Sequence, residues 1–197
     1  MILAIDTATR NVSLALHDGS QVVTESTWRT ANHHTVELTP ALDAMLARSG
    51  VSVAHLGALA VTLGPGSYTG LRIGLSLAKG IALAASPPLP LVGVPTLDVV
   101  AAAQPHRASR LCAVAQAGRQ RVNAQFYDWA SAGWQSAGEP FITTWAALAA
   151  RLDGSTQVAG EIDAQGHAAL GALLPPALIA GGAAGLRRAG YLAELGL

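Results

Sequence analysis

The chain begins with short apolar runs separated by turn signals, a pattern typical of strands. The first run ends at Asp6, and the second ends just before Asp18-Gly19. Asp-Gly between two such runs indicates a hairpin, whose returning strand would lie over residues 22–25. A further apolar run over residues 56–63 predicts a buried strand. The first part of the chain is therefore expected to form a sheet that starts with a hairpin.

Apolar residues at helical spacing predict two long helices in the same part of the chain. The first helix is expected over residues 35–48, where Gly50 stops the pattern. The second is expected over residues 69–85 and ends before Pro87-Pro88. This second helix is apolar on nearly all sides, which is typical of a helix sandwiched in a core or shared with a partner.

The second half of the chain gives weaker signals. Strands are predicted over residues 111–115 and 122–127, and a helix over residues 145–152. The rest is dominated by Ala, Gly and Leu, which fit helix and buried strand alike. Strands are predicted over residues 158–160 and 178–181 with a helix near residues 164–173 between them, and a last helix is predicted over residues 184–195. A polar segment that contains Pro105 is the expected boundary between two lobes.

The turn between the fourth predicted strand and the second helix has the sequence GPGSYTGLRIG, residues 64–74. Gly64 and Gly66 allow positive φ and a close approach of another backbone segment. The free N–H groups at the start of the following helix favour an anion. Together with Asp6 and Thr7, these two glycines form a candidate nucleotide or anion site. The alternative is that Asp6 and Thr7 hold their own turn through Asx-type hydrogen bonds.

Ile-Asp-Thr at residues 5–7, together with the glycine turn at residues 64–74, closely resembles the TsaB (YeaZ) family. This family is a branch of the actin/Hsp70/sugar-kinase (ASKHA) superfamily and was historically grouped with M22 glycoprotease-like proteins. The resemblance implies an α/β fold with two lobes, each a mixed sheet with helices. An N-terminal lobe with the hairpin and two interface helices would cover residues 1–104. A shortened, diverged C-terminal lobe would cover residues 105–197.

The resemblance also implies a function and partners. The chain would be a non-catalytic scaffold or activator of the catalytic subunit TsaD, which transfers a threonylcarbamoyl group to adenosine 37 of tRNA. The implied partners are a TsaD-like subunit, a TsaE-like ATPase and, in their absence, a second copy of the chain. Contact with tRNA would be only indirect, and no cofactor is implied. The interface residues expected on the two N-lobe helices are His34, Leu38, Leu42, Met45, Leu71, Arg72, Leu75, Ala78, Lys79 and Ala82.

Three other functions stay open from the residues. An ASKHA-type phosphotransferase or ATPase would use Asp6 and the glycine turn, and an M22-type metallopeptidase would need clustered metal ligands. None of the six histidines is followed by another at the spacing that presents two imidazoles on one helical turn. A diverged self-dimerising regulator is the third. The family usually has an Ile-Asp-Ala-Arg-like strand followed by Gly-Glu-Val-Tyr, and the corresponding residues here are AQAG at 115–118 and QRVN at 120–123.

Composition limits the classes of partner. Apolar residues make up 51% of the chain and charged residues 12%, which favours a protein partner over a solitary monomer. A net charge of zero argues against strong autonomous nucleic-acid binding. The local excess of cations is at Arg107, Arg110, Arg119 and Arg121. The one cysteine excludes an internal disulfide, and with no secretory pattern or membrane span we expect a cytoplasmic protein.

Overall fold

The chain folds into two units, each built on one mixed sheet. The computed structural model describes residues 1–31, 34–131 and 133–197. Unit 1 consists of Met1–Val99 together with Arg188–Leu197, and unit 2 consists of Val100–Arg187. This division differs from the expected one, because the last ten residues belong to unit 1 rather than to the second lobe.

A five-stranded sheet forms the centre of unit 1. Its strands are β1 (Ile2–Asp6), β2 (Asn11–His17), β3 (Val22–Arg29), β4 (Ala58–Thr62) and β5 (Leu91–Val94). They lie in the order β3-β2-β1-β4-β5. The first three form the expected antiparallel hairpin and its neighbour, and β4 and β5 run parallel to β1.

The α-helices of both units, in chain order, are α1 (His34–Ser49), α2 (Tyr68–Ala84), α3 (Thr96–Ala102), α4 (Trp145–Ala149), α5 (Ala164–Gly171) and α6 (Ala189–Leu195). Helices α1 and α2 cover one face of the unit 1 sheet, and α6 covers the other. Side chains alternate along β1, so that Leu3 and Ile5 share a core with α1 and α2, whereas Ile2 and Ala4 share one with α6. The two long helices predicted from the sequence are thus confirmed to within one residue at each end.

Unit 2 is built on a six-stranded sheet. Its strands are β6 (Arg110–Gln116), β7 (Arg121–Ala130), β8 (Gly133–Ser136), β9 (Phe141–Thr144), β10 (Gln157–Gly160) and β11 (Ile179–Ala180). The order is β11-β10-β6-β7-β8, with β9 on the other half of β7. Strands β6, β10 and β11 are parallel, and β7 is antiparallel to β6.

Several predicted elements of this half differ from the structure. The helix expected over residues 145–152 ends at Ala149, and strands β8 and β9 were not predicted. The helix expected over residues 184–195 is a 3-10 turn, Gly182–Gly185, followed by α6. The α/β class with a mixed sheet and helices in each part, expected from the resemblance, is confirmed. Within the described ranges no helix has the length and apolar character needed to cross a bilayer.

Candidate functional site

Asp6 ends strand β1 and is fully buried. Its Oδ1 accepts a hydrogen bond from the Ala8 amide at 2.9 Å and one from the Thr62 hydroxyl, on β4, at 3.1 Å. The first of these bonds closes an Asx turn, which is the structural alternative raised from the sequence. The carboxylate therefore joins the ends of two parallel strands.

Thr7 follows Asp6 and is also fully buried. Its hydroxyl donates to the Gly70 carbonyl, in the first turn of α2, at 2.8 Å. A Cβ on Gly70 would lie 2.3 Å from the Thr7 carbonyl oxygen, and one on Gly74 would lie 2.2 Å from Thr7 Oγ1. Both distances are far below van der Waals contact, so glycine at these two positions is what lets α2 approach the end of β1.

The glycine turn packs on the residue that follows Thr7. Gly64 has a φ of +108°, and a Cβ on Gly66 would lie 2.2 Å from the Ala8 carbonyl oxygen. That carbonyl also accepts from the Ser67 amide at 2.6 Å. Ser67 is the N-cap of α2, and its Oγ accepts from the Gly70 amide at 3.2 Å. Two amides that could have bound an anion here thus bond to the chain itself.

The candidate anion site is therefore a packed junction. The turn at residues 6–8 and the turn at residues 64–67 contact each other through backbone atoms, at distances that leave no room for a phosphate group between them. The junction joins β1, β4 and α2 and sets the position of α2 on the sheet.

Five of the ten expected interface residues lie in the core of unit 1 instead. Leu38, Leu42 and Met45 form the buried side of α1, and Ala78 and Ala82 belong to the buried side of α2. Gly70, Gly74, Ala78 and Ala82 form the buried side of α2 at four-residue spacing. These small residues bring α2 close to its own sheet, where Gly70 and Gly74 contact Thr7.

The outer side of α2 carries the remaining charged and apolar positions. Tyr68 is 74% exposed and Leu83 is 75% exposed, and Arg72 and Lys79 are exposed between them. The Arg72 guanidinium lies 5.2 Å from the centre of the Tyr68 ring and donates to its hydroxyl at 3.3 Å. The expected residues Leu71 and Leu75 are half-buried. His34 begins α1, and its side chain lies outside the described part of the chain.

A second group of polar side chains, which the sequence did not predict as a site, lies at the carboxyl end of the unit 2 sheet. Glu161 follows β10, and its carboxylate accepts from Arg187 Nη1 at 2.8 Å and from the Gln116 amide at 3.0 Å. The side-chain amide of Gln116, the last residue of β6, donates to the Glu161 carbonyl at 3.0 Å and to Asp163 at 3.3 Å. Arg187 is fully buried and Glu161 is 8% exposed, so this is a buried ion pair.

The sequence carried little signal for this ion pair. Arg187 stands in the segment AGLRRAG, in which nothing distinguishes a buried arginine from an exposed one. Its partner Glu161 lies 26 residues away in the sequence, and no local pattern connects the two residues.

Metal-ligating residues are not gathered at either place. Among the described residues, no group of three or more His, Cys, Asp and Glu side chains could hold a metal ion. Cys112 is buried on β6, and this burial raises the pKa of its thiol to about 12, against the weaker opposing effect of Arg151 and Arg110. The thiol is thus protonated at neutral pH, when it is a poor nucleophile.

Comparison with known proteins gives consistent matches. The family model described as TsaD, tRNA N6-adenosine threonylcarbamoyltransferase, matches residues 25–174. The chain is 45% identical over 101 residues to the tRNA threonylcarbamoyladenosine biosynthesis protein TsaB of Escherichia coli K12, covering 51% of this chain and 42% of the relative. It is 34% identical over 128 residues to the TsaB protein of Bacillus subtilis 168, covering 65% and 55%. The chain spans about half the length of the curated relatives it matches.

A solved structure matches along nearly the whole chain. The structure of YeaZ from Pseudomonas aeruginosa aligns with a TM-score of 0.75 and 25% sequence identity, covering 99% of this chain and 89% of that one. Because the family model covers about three quarters of the chain and these relatives agree in name, the chain belongs to the family of the threonylcarbamoyltransferase model, in its TsaB (YeaZ) branch.

Proposed function

We propose that this chain takes part in the formation of threonylcarbamoyladenosine in tRNA, as a non-catalytic partner that activates a TsaD-like transferase in the cytoplasm. The packed junction between the turns at residues 6–8 and 64–67 carries the non-catalytic part of the proposal. In a nucleotide-binding relative these turns would have to leave space for phosphate, and here backbone and side-chain atoms fill that space.

The outer side of α2 is the proposed docking surface for the transferase. It combines two largely exposed apolar or aromatic side chains, Tyr68 and Leu83, with the cations Arg72 and Lys79. Aromatic residues and arginine are enriched at the centres of protein interfaces, where burial gives most of the binding energy. A partner with an apolar strip flanked by carboxylates would fit this surface. The same surface would pair two copies of the chain in the absence of the transferase.

The junction is proposed to support this surface rather than to do chemistry. Because Gly70 and Gly74 bring α2 into direct contact with the backbone and side chain of Thr7, these contacts fix the angle of the helix. Docking on a rigid helix can favour the active arrangement of the transferase, provided that the helix binds that arrangement more tightly than the inactive one. A TsaE-like ATPase would join the assembled pair.

A reconstituted modification assay tests the proposal. The assay contains the cognate TsaD, the TsaE-like ATPase, the enzyme that forms the threonylcarbamoyl adenylate, ATP and unmodified tRNA, with this chain present or omitted. We expect modified adenosine only when the chain is present. Modification at the same rate without the chain, when all other components are active, would refute the accessory role.

Two variants distinguish a charge placed on the docking surface from the same charge placed at another exposed apolar residue. Leu83→Glu places a charge near the C-terminal end of the outer side of α2, whereas Ile142→Glu makes the same change at a residue of unit 2 that is 58% exposed. We expect Leu83→Glu to abolish pairing with the transferase in size-exclusion chromatography and to leave the circular dichroism spectrum unchanged. Ile142→Glu should pair like the wild-type chain. Leu83 is the better position than Leu75, which packs partly against the core.

A further inference from the structure

The turn that joins β6 to β7 has an unusual backbone. The Ala117 amide donates to the Arg121 carbonyl at 2.9 Å, and the Arg121 amide donates to the Gly118 carbonyl at 3.1 Å. Between them Arg119 has a φ of 52° and Gln120 a φ of 58°, so both central residues of the turn are left-handed. Two central residues with positive φ define a type I′ hairpin turn.

The residues at these two positions are not the ones that the conformation favours. Asn-Gly and Gly-Gly are preferred in type I′ turns because they adopt positive φ at low cost. Arg119 and Gln120 are the only non-glycine residues with positive φ in the described part of the chain. Arg119 and Gln120 therefore make the turn less stable than Asn-Gly would, and they place two long polar side chains at its tip.

The charges of this tip also differ from those of the other arginines in unit 2. Arg107 donates to the Ala177 carbonyl at 3.2 Å, Arg110 pairs with Asp128 at 3.3 Å, and the Arg151 guanidinium lies 3.8 Å from the centre of the Phe141 ring. Arg119 and Arg121 are exposed, and the described residues provide neither side chain with a hydrogen bond or an ion pair. Two like charges in one tight turn repel each other, and an anion bound between them would relieve this repulsion.

We propose that the tip of this hairpin, residues 118–121, contacts the phosphate backbone of an RNA. Gly118, Arg119, Gln120 and Arg121 include no apolar side chain, whereas protein interfaces need apolar or aromatic residues at their centre. Guanidinium groups, side-chain amides and backbone N–H groups are the usual donors to phosphate oxygens. The proposal rests on the proposed function in that the RNA would be the tRNA to be modified, and it replaces the expected indirect contact by a direct one.

Binding of tRNA at several salt concentrations tests the contact. The measurement is the fluorescence anisotropy of a labelled tRNA titrated with the chain in complex with the cognate TsaD. For Arg119→Gln/Arg121→Gln we expect about tenfold weaker binding at low salt and a salt dependence that is shallower by about 1.5 in log–log slope, since two phosphate contacts are lost. The matched control is Arg10→Gln/Arg48→Gln, which removes the same charge from exposed positions of unit 1 and should bind like the wild-type chain.

A second variant separates the contact from the stability of the turn. Arg119→Asn/Gln120→Gly gives the turn its preferred residues, so the melting temperature should rise while the affinity for tRNA falls. An unchanged affinity for tRNA in both hairpin variants would overturn the proposal. An affinity equally weakened in the unit 1 control would overturn it too, because the effect would then come from net charge alone.

The outcome is distinguishable from failure of the proposed function. If the wild-type chain is required for modification and the hairpin variants bind tRNA normally, only the hairpin contact is refuted. If the hairpin variants bind tRNA normally but pair less well with TsaD, the tip is a protein contact and the RNA proposal is again refuted. If the wild-type chain is not required for modification, the proposed function itself fails, whatever the hairpin does.

Discussion

The carboxyl ends of the two sheets occupy corresponding places in their units and are closed by different chemistry. In unit 1 the central strand β1 ends at Asp6, which bonds to a backbone amide and to a threonine of the parallel strand β4. In unit 2 the central strand β6 ends at Gln116, which bonds to Glu161 and Asp163 beyond the parallel strand β10. Both strands end in a polar side chain that bonds to residues of, or just beyond, the neighbouring parallel strand.

The difference lies in what holds each end together. Unit 1 uses close backbone contacts, made possible by Gly66, Gly70 and Gly74, with hydrogen bonds that involve a single charged group. Unit 2 has the buried ion pair of Arg187 and Glu161, together with close approaches of Gly160 to the Val114 carbonyl and of Gly185 to the Gly160 carbonyl. Added volume should therefore destabilise either end, whereas the loss of one partner of a buried ion pair should act on the second end.

Removal of Arg187 should give the largest effect. Arg187→Met leaves the Glu161 carboxylate buried without its cation, and breaking one side of a buried pair typically costs about 3–5 kcal/mol. The free energy of unfolding of unit 2, from hydrogen exchange of the β6 and β10 amides, measures this loss.

A double variant shows whether the loss comes from the unpaired charge. In Arg187→Met/Glu161→Gln both charges are absent, so a large part of the stability should return, because the uncompensated buried charge is gone. If the double variant is as unstable as the sum of the two single variants, the ion pair is not coupled and packing of the arginine stem explains the loss.

Added volume at Gly74 should give the next largest effect, in unit 1. The Cβ of Gly74→Ala would lie 2.2 Å from Thr7 Oγ1, and forcing a methyl group into such a contact typically costs about 1–3 kcal/mol. Gly80→Ala on the same helix meets nothing within 4 Å and should instead stabilise it by about 0.5–1 kcal/mol. Thermal unfolding of both variants gives the comparison, and equal shifts would contradict the close contact.

The sequence predicted the first of these two ends well and the second poorly. In unit 1 the apolar runs are short and bounded by Asp-Gly or by the glycine turn, so strands, helices and the turn followed from local residues alone. The alternative that Asp6 holds an Asx turn was also among the predictions. What local residues could not give was the side of each helix that faces the sheet, and half of the expected interface residues lie in the core for that reason.

In unit 2 the decisive contacts are long-range. The ion pair joins Glu161 to Arg187, which is 26 residues further along the chain. Strands β8 and β9 are four-residue strands that depend on pairing with β7. The Ala- and Gly-rich segment after residue 157 has little periodicity, so the tertiary contacts decide between helix and strand there. The strands near residues 158–160 and 178–181 and the helix between them were predicted, whereas β8, β9 and the closed end of this sheet could not be predicted from neighbouring residues.

Removal of the neighbouring Arg188 should destabilise the fold less than removal of Arg187. Arg188 pairs with Glu25 in unit 1, but its side chain is 53% exposed, so solvent screens the pair. Arg188→Met should cost less than about 1 kcal/mol, since exposed pairs contribute little and Glu25 keeps its bond to the Gly190 amide. Chemical denaturation would check this value. A loss as large as that of Arg187→Met would show that burial is not what distinguishes the two arginines.

The rate at which the Cys112 thiol is labelled reports on the opening of unit 2 without denaturant. Burial raises its pKa from 9.0 to about 12, so in the folded chain the thiol stays protonated and unreactive at pH 8. Labelling by a disulfide reagent should therefore proceed only through opening of unit 2, and Arg187→Met should accelerate it about a hundredfold or more. Arg188→Met should change the rate little. The pKa of the thiol is near 9.0 in the unfolded chain and about 12 in the folded chain, so the free energy of unfolding should fall as the pH rises from about 9 to about 12. Fast labelling of the wild-type chain, at the rate of a free thiol, would contradict the burial of Cys112 in unit 2.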